Sequence, residues 1–217
     1  SRRSPVTQAR LDGGLWRLET PGGTLTAPRV IWAGNAYGQG PAAAPGLSIL
    51  PYFNFATDPL PDSLRAGILP GGEGAWDTAQ ILTSFRLDAA GRFVIGSVGT
   101  LGAWDTAVHE GWAQRRMARL FPALRGRPFT HRWFGRIGTT PDAVPRLIQP
   151  GPGAFGFAGY NGRGIAPGTV LGRLLAQAAL GQAALPALAP AAPSALAPLR
   201  SLGYRAGAAA WHLVQRR

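Results

Sequence analysis

A glycine-rich loop is the segment of this chain whose residue types and spacing are best suited to chemistry. It comprises residues 158–165 (AGYNGRGI), and it follows a short apolar run and precedes a segment with helical periodicity. Glycine has no Cβ, so its backbone can approach a ligand closely, and the first N–H groups of a helix attract anions. The spacing alone leaves two alternatives open. The loop either binds a phosphate or a delocalised anion, or it is a tight strand-to-helix turn without a ligand, since G-x-x-G-x-G is not the G-x-G-x-x-G order.

The elements that flank the loop indicate a strand before it and a helix after it. Residues 153–158 are predicted to form a short strand, and residues 168–180 a helix with leucines on one side. A second short apolar run, residues 29–33, ends in Gly34 and Asn35 and is typical of a buried strand in a parallel sheet. The carboxyl ends of such strands are where open α/β sheets bind ligands.

The rest of the pattern predicts mainly antiparallel strands. A meander is predicted within residues 5–26, a long strand over 47–59, a hairpin of 81–87 with 92–97 turning at 88–91, a strand over 129–140 and extended chain over 143–148. Two further helices are predicted over 106–120 and 199–217. The fold class is therefore a mixture of α+β and α/β. We expect an antiparallel sheet packed with helices beside a remnant of a parallel α/β domain.

Composition narrows the function classes. The chain has 217 residues, a formal net charge of +12 and no cysteine, which excludes disulfides, thiolate metal sites and a nucleophilic cysteine. His109, His131 and His212 stand apart in the sequence and match no metal-binding spacing, so we predict no metal site and expect each to be a surface or partly buried polar residue.

The positive charge raises the possibility of nucleic acid or an anionic membrane as a partner. The basic residues are all arginines, however, and they are scattered along the chain, so we predict neither partner. The apolar stretch over 170–199 is interrupted by prolines and cannot span a bilayer as one helix. No signal peptide is visible at the start of the sequence, and the expected location is the cytoplasm.

An ordered series of short motifs resembles one family of enzymes. The series comprises residues 30–37 (VIWAGNAY), 56–60 (ATDPL), 85–88 (FRLD), 140–145 (TPDAVP) and the loop with the Gly168-Thr169 helix that follows it. It resembles the FAD-dependent oxidoreductases of the D-amino-acid oxidase type, and in particular the gamma-glutamylputrescine oxidase-like branch. The resemblance implies oxidation of an amine or amino acid by hydride transfer to a flavin.

The resemblance also assigns roles to individual residues. The residues that it places along the flavin are Gly34, Asn35, Gly159, Tyr160, Asn161, Gly162, Arg163, Gly164 and Ile165. Some family members tether the flavin through a cysteine at a position that falls near Gly135 here, so FAD is expected to be noncovalent. A lysine that promotes oxygen reactivity in some members is also absent, which leaves oxidase and dehydrogenase behaviour as alternatives.

Substrate contacts are expected from Tyr52, Arg86 and Trp133 on strands of the substrate domain. Each has an alternative explanation: Trp133, like Phe53, could belong to the core, and Arg86 could either clamp a carboxylate or pair with Asp88 beside the turn. No catalytic residue is assigned.

The family's N-terminal dinucleotide-binding motif does not occur in these residues. We therefore expect a C-terminal portion of such an enzyme. The expected organisation is a C-terminal part of the FAD domain over 1–45, a substrate domain over 46–140, a returning strand, loop and helix over 141–185, and a Pro/Ala linker with a helix over 186–217. Expected partners are a small amine or amino acid and a missing N-terminal half. The alternatives are a remnant that does not bind FAD by itself and an arginine-rich binder of nucleic acid or acidic lipid.

Overall fold

The computed structural model describes residues 4–215, which form two compact units. Unit 1 comprises the residues up to Ile49 together with Ile137–Pro198, and unit 2 comprises Leu50–Arg136 together with the residues from Leu199 onward. Residues 1–3 and 216–217, including the end of the predicted C-terminal helix, lie outside the described residues.

Eleven strands and four α-helices are present among the described residues. In chain order they are β1 (Gln8–Asp12), β2 (Leu15–Thr20), β3 (Gly23–Ala27), β4 (Val30–Trp32), β5 (Ser48–Pro59), α1 (Asp62–Arg65), β6 (Gly74–Trp76), β7 (Ser84–Leu87), β8 (Arg92–Val98), α2 (Asp105–Leu120), β9 (His131–Thr139), β10 (Arg146–Gly151), β11 (Ala154–Ala158), α3 (Ile165–Ala179) and α4 (Leu196–Val214). Short 3-10 turns occupy Asn35–Tyr37, Gly40–Ala42 and Pro122–Leu124.

Unit 1 contains two three-stranded sheets. The first is the antiparallel meander β1-β2-β3, and the second has the order β10-β11-β4. In the second sheet β11 pairs in parallel with β4 and antiparallel with β10, with Phe155 opposite Ile31. Trp16 of the meander is buried against Val30 and Ala154, and its indole N–H donates to the carbonyl of Pro152 at 2.8 Å. The mixed α/β fold class predicted from the sequence is confirmed.

Two helices begin earlier than their sequence pattern predicts. α3 begins at Ile165 rather than near Gly168, and α4 begins at Leu196 rather than at Leu199. In each case a proline, Pro167 or Pro198, is the third residue of the helix. A proline in the sequence predicts the end or the interruption of a helix. In the first turn it is tolerated, because no N–H group is needed there for an internal hydrogen bond.

Part of the predicted Pro/Ala linker is docked within unit 1. Leu147 of β10 donates to the carbonyl of Ala189 at 3.0 Å and accepts from Ala191 at 2.8 Å, so residues 189–191 lie beside the strand as a short bridge. The strand-like contact uses backbone atoms alone, which the sequence pattern does not reveal.

The main sheet of unit 2 has the order β6-β7-β8-β5-β9. Its two faces follow from the pairing, because residues directly opposite each other in antiparallel strands share a face. One face carries Phe53, Phe55 and Ile95 and packs against α2 through Trp112 and Met117. Strand β6 and helix α1 were not predicted, since each has only three or four residues and too short a pattern for either period.

Two histidines predicted to stand apart are brought together in the core of unit 2. His109 of α2 and His212 of α4 are both buried, and their Nδ1 atoms lie 2.8 Å apart. The rings also contact Phe53 and Trp112, at centroid distances of 4.7 Å and 4.1 Å respectively. The expectation that each histidine stands alone was wrong for this pair, because residues 103 positions apart meet only through tertiary packing.

The neighbours of the pair define its tautomers. Ser97 donates its single hydroxyl proton to the carbonyl of Leu82 at 2.7 Å, so it can only accept from His212 Nε2, which lies 3.3 Å away. His212 Nδ1 is then the acceptor of a hydrogen bond from His109 Nδ1. Burial, His109 and Arg115 lower the pKa of His212 to about 3, and burial also lowers the pKa of His109.

The histidine pair makes the stability of unit 2 depend on pH. An unfolded histidine binds a proton below about pH 6.5, whereas the folded pair stays neutral to lower pH, so stability is full above about 6.5 and falls as the pH drops toward 3. We expect a loss of about 2–4 kcal/mol from this pair between pH 7 and 4. Urea unfolding of the protein and of the His212→Gln variant at each pH measures it. The free energy of unfolding should depend less steeply on pH in the His212→Gln variant than in the original protein. Replacing the exposed His131 by Gln should leave this dependence unchanged. Equal pH dependence in all three proteins would contradict the assignment.

No helix in residues 4–215 is both long and apolar enough to cross a lipid bilayer.

Candidate functional site

The candidate site in unit 1 is built where two parallel strands end. β4 and β11 run in the same direction and pair in register, so the residues that follow them emerge at one edge of the sheet. The turn Asn35–Tyr37 follows β4, and the glycine loop follows β11. Sequence positions 124 apart are therefore adjacent, and the backbone N–H of Gly159 donates to Asn35 Oδ1 at 2.9 Å.

Asn35 has an unusual backbone conformation that suits this contact. Its φ is 44°, in the left-handed region, which asparagine tolerates better than most residues. Its side-chain oxygen is occupied by Gly159 and lies against Gly138 of β9. The structure thus uses Asn35 to hold the loop backbone.

Asn161 holds the loop from within. Its φ is 54°, and its Oδ1 accepts from the backbone N–H of Thr140 at 2.8 Å. Its Nδ2 donates to Thr140 Oγ1 at 3.1 Å and to the carbonyl of Gly159, and its own N–H donates to the carbonyl of Gly138 at 3.0 Å. The side-chain amide therefore ties the loop to the segment 138–140, and it acts on a ligand only by positioning the backbone.

Gly159 is required by both its conformation and its surroundings. Its φ is 82°, and a Cβ at this position would lie 2.6 Å from Thr140 Cγ2 and 3.1 Å from Leu47 Cδ2. The close approach of these neighbours leaves no room for a side chain. The loop geometry thus depends on glycine at the position where β11 ends.

The loop leads directly into an uncapped helix. Gly164 precedes α3 and has no side chain to accept a hydrogen bond from the first turn, which also contains no acidic residue. Ile165 is 91 % exposed. Because the first N–H groups of a helix have no internal acceptor, this end of α3 presents unsatisfied donors and about half a positive charge. The open first turn of α3 therefore fits an anionic or electron-rich ligand.

Tyr160 and Arg163 stabilise the loop, the first through side-chain packing and the second through a backbone hydrogen bond. Tyr160 is partly buried and packs with Phe155, Phe157 and Leu175, and this burial raises the pKa of its hydroxyl. Arg163 is exposed, and its backbone N–H closes the turn by donating to the carbonyl of Tyr160 at 2.9 Å. Gly34, on the β4 side, accepts from the N–H of Tyr37 at 2.8 Å.

Two of the three predicted substrate residues share one face of the unit 2 sheet. Tyr52 lies on β5 and Arg86 on β7, on the face opposite to the one that packs against α2. The Tyr52 hydroxyl donates to Ser84 Oγ at 2.7 Å. Burial raises the pKa of Tyr52, and the nearby charge of Arg86 acts in the opposite direction, so the phenol stays neutral at neutral pH.

Arg86 is exposed and is not the partner of Asp88. The Asp88 carboxylate instead accepts from Arg92 at 3.4 Å, and from the backbone N–H groups of Ala90 and Arg92 at 2.9 Å. These bonds lower the pKa of Asp88. The guanidinium of Arg86 therefore remains available to an external carboxylate.

Trp133 does not belong with Tyr52 and Arg86. It is 43 % exposed, whereas Phe53 is fully buried in the core. Trp133 lines a groove with residues of α2, which packs on the other face of the sheet.

Asn54 is a site candidate that sequence reasoning missed. It lies between Tyr52 and Ala56 on the same face as Arg86, opposite Gly96 of β8. A Cβ at Gly96 would come within 2.6 Å of Asn54 Oδ1 and 2.8 Å of the Tyr52 ring. The signal was a polar residue alternating with aromatic residues in the long strand 47–59, a pattern that predicts a second, non-core face.

The rigidity of the glycine loop can be tested by one substitution. Gly159→Ala introduces a Cβ at φ 82°, 2.6 Å from Thr140, so we expect a loss of about 2 kcal/mol or more in the free energy of unfolding. Gly172→Ala, in the middle of α3 with nothing within 4 Å of its Cβ, is the matched control. It should stabilise the helix by up to about 1 kcal/mol. Denaturant titration distinguishes them, and equal effects would rule out the close packing.

Comparisons with known proteins identify a family and several related proteins. A family described as FAD dependent oxidoreductase (DAO) matches residues 2–178. The chain is 29 % identical over 170 residues to a probable oxidoreductase, OrdL, of Rhizobium meliloti, covering 78 % of this chain and 40 % of the relative. It is also 29 % identical over 170 residues to gamma-glutamylputrescine oxidoreductase of Escherichia coli, covering 76 % of this chain and 40 % of the relative.

Solved structures show the same fold. Iminodiacetate oxidase of Chelativorans sp. BNC1 superposes with a TM-score of 0.67 at 18 % identity, over 89 % of this chain and 54 % of that one. Glycine oxidase of Geobacillus kaustophilus gives a TM-score of 0.62 at 22 % identity, over 90 % of this chain and 50 % of that one. The chain thus matches 40 % of the length of the two curated relatives and about half of the solved structures.

Proposed function

Since the chain belongs to the DAO family of FAD-dependent oxidoreductases, we propose that it forms the flavin-ring and substrate portion of an enzyme that oxidises an amine or amino acid. We propose this activity for a longer or two-part enzyme that contains this chain, because the matched relatives are more than twice as long as the matched segment. The N-terminal dinucleotide module is the proposed partner of unit 1.

The observation that carries the proposal is the contact of Gly159 with Asn35. Parallel pairing of β4 and β11 places two chain segments side by side, and the Asn35 side chain fixes the loop backbone by accepting from Gly159. Asn161 fixes the other side of the loop through Thr140. A loop held from both sides fixes the backbone path into α3, so the N–H groups of its open first turn need no further reorganisation when a ligand binds.

In this proposal the noncovalent FAD would lie along Gly34, Asn35 and residues 159–165. When bound, FAD would accept the hydride lost from the carbon next to the amine nitrogen. The open first turn of α3 would stabilise negative charge on the ring, since its N–H groups and the helix dipole favour anions. Asn35 and Asn161 would position the loop, and Gly162 and Gly164 would let it pass close to the ring.

The face with Tyr52, Asn54 and Arg86 is the proposed substrate side. Arg86 is free to bind a carboxylate, and a guanidinium holds that group with two parallel hydrogen bonds. Tyr52 is neutral and engaged with Ser84, so it offers a lone pair to a substrate N–H. The proposed substrate is therefore an amine that also carries a carboxylate.

Retention of FAD tests the first part of the proposal. The purified chain is incubated with FAD, alone and co-expressed with the N-terminal portion of the E. coli relative, and the visible flavin absorbance that survives gel filtration is measured. We expect retention at least in the two-part complex. No retained flavin in either sample would favour a remnant without cofactor.

The helix end can be tested in the same assay. Ile165→Glu places a carboxylate at the exposed first turn of α3, where it competes with an anionic ligand, and should weaken FAD retention about three- to tenfold. Val170→Glu, on the same helix but beyond the first turn, is the control and should have little effect. Equal weakening by both variants would argue against binding at the helix end.

The role of Arg86 predicts a selective loss of activity in the flavin-loaded enzyme. Arg86→Met should lower kcat/KM about 10- to 100-fold for a carboxylate-bearing amine and change it little for an amine of similar size without a carboxylate. Arg119→Met, at an exposed position of α2, is the matched control. A uniform loss for both substrates would show that Arg86 does not read the carboxylate.

A further inference from the structure

A groove in unit 2 is lined by none of the residues assigned above to the proposed flavin and substrate sites. It has a volume of about 810 Å³ and is formed by the loop 101–103, by one side of the first turns of α2 and by the start of β9. α2 packs on the sheet face that carries Phe53 and Phe55, whereas Tyr52 and Arg86 lie on the opposite face. The groove is large enough for a small ligand.

Glu110 is the distinctive residue of this groove. It is partly buried on α2, and no described residue forms a hydrogen bond or ion pair with it, in a chain that has 22 basic residues and only 10 acidic ones. The helix explains this, because the positions three and four residues away are Thr106, Ala107, Ala113 and Gln114, none of which is basic. A partly buried carboxylate without a counter-charge fits a cationic ligand.

The opposite wall of the groove supplies complementary groups. β9 contributes Arg132, exposed and unpaired among the described residues, and the aromatic rings of Trp133 and Phe134, which are 43 % and 48 % exposed. Large exposed aromatic side chains beside charged groups are typical of ligand sites. Glu110 and Arg132 line the same groove without bonding to each other, so one ligand with both charges can satisfy both.

We propose that this groove binds a zwitterionic amino acid with an apolar side chain. Its ammonium group pairs with Glu110, its carboxylate pairs with Arg132, and its side chain packs on Trp133 and Phe134. A ligand with a single charge leaves one of the two groups unpaired, and a net cation is repelled by Arg132. The groove is on the opposite side of the unit 2 sheet from Tyr52 and Arg86, so its ligand is distinct from the proposed substrate.

Binding of three related compounds tests the charge pattern. L-phenylalanine carries both charges, L-phenylalaninamide lacks the carboxylate and N-acetyl-L-phenylalanine lacks the ammonium group. Calorimetric titration of the full chain should give the tightest binding for L-phenylalanine and about three- to tenfold weaker binding for each analogue. A 5-fluorotryptophan label should report the site, and the resonance that moves should be the one missing from a Trp133→Phe variant.

Two substitutions assign the contacts. Glu110→Gln should weaken L-phenylalanine binding about three- to tenfold without weakening binding of the N-acetyl compound. Arg132→Met should weaken L-phenylalanine binding by a similar factor without weakening binding of the amide. Glu73→Gln, at an exposed acid outside the groove, is the control.

The proposal is overturned if L-phenylalanine does not bind, if neither groove variant changes its affinity, or if Arg86→Met weakens binding while Glu110→Gln does not. The last result places the ligand on the other face of the sheet. The calorimetric assay measures binding without FAD, so its result does not depend on whether the chain retains flavin. The groove proposal and the flavin proposal can therefore fail independently.

Discussion

The parallel pairing of β4 with β11 is the constraint on which the candidate cofactor site depends. Only parallel strands bring their carboxyl ends to the same edge, and only this pairing allows Asn35 to accept from Gly159. The loop, the helix that follows it and the segment 138–140 are then fixed in turn through Asn161. The chemistry proposed for the loop is a consequence of the register of a three-residue strand.

Unit 2 depends on the difference between the two faces of its sheet. Its sheet separates an aromatic face, which packs against α2, from a face with Tyr52, Asn54 and Arg86. Alternation along β5 produces both faces from one strand, so the residues that fill the core also fix the direction of the polar ones. The histidine pair adds a polar contact within this core, and its tautomers follow from the single proton of Ser97.

The sequence allowed the fold class and most strands to be predicted, because apolar alternation and glycine turns are local signals. It also indicated the family, which required the order of several weak motifs. It could not predict that His109 and His212 meet, that residues 189–191 pair with β10, or that Asn35 reaches Gly159, since each contact joins distant positions. The early starts of α3 and α4 were missed for a local reason: a proline in the first turn looks the same as one that ends a helix.

In the proposed site the glycine loop and the helix end would offer the cofactor mainly backbone atoms, and this has a consequence for how the sequence can vary. Donors supplied by N–H groups are the same for every residue except proline, so the side chain of Arg163, whose own N–H closes the turn, is open to change. The positions that restrict the residue type are those that set the path of the backbone, where Gly159 and Asn161 adopt left-handed conformations. Selection on such a site acts on backbone torsion angles more than on functional groups. A drifting sequence could then preserve the site while losing most of its identity.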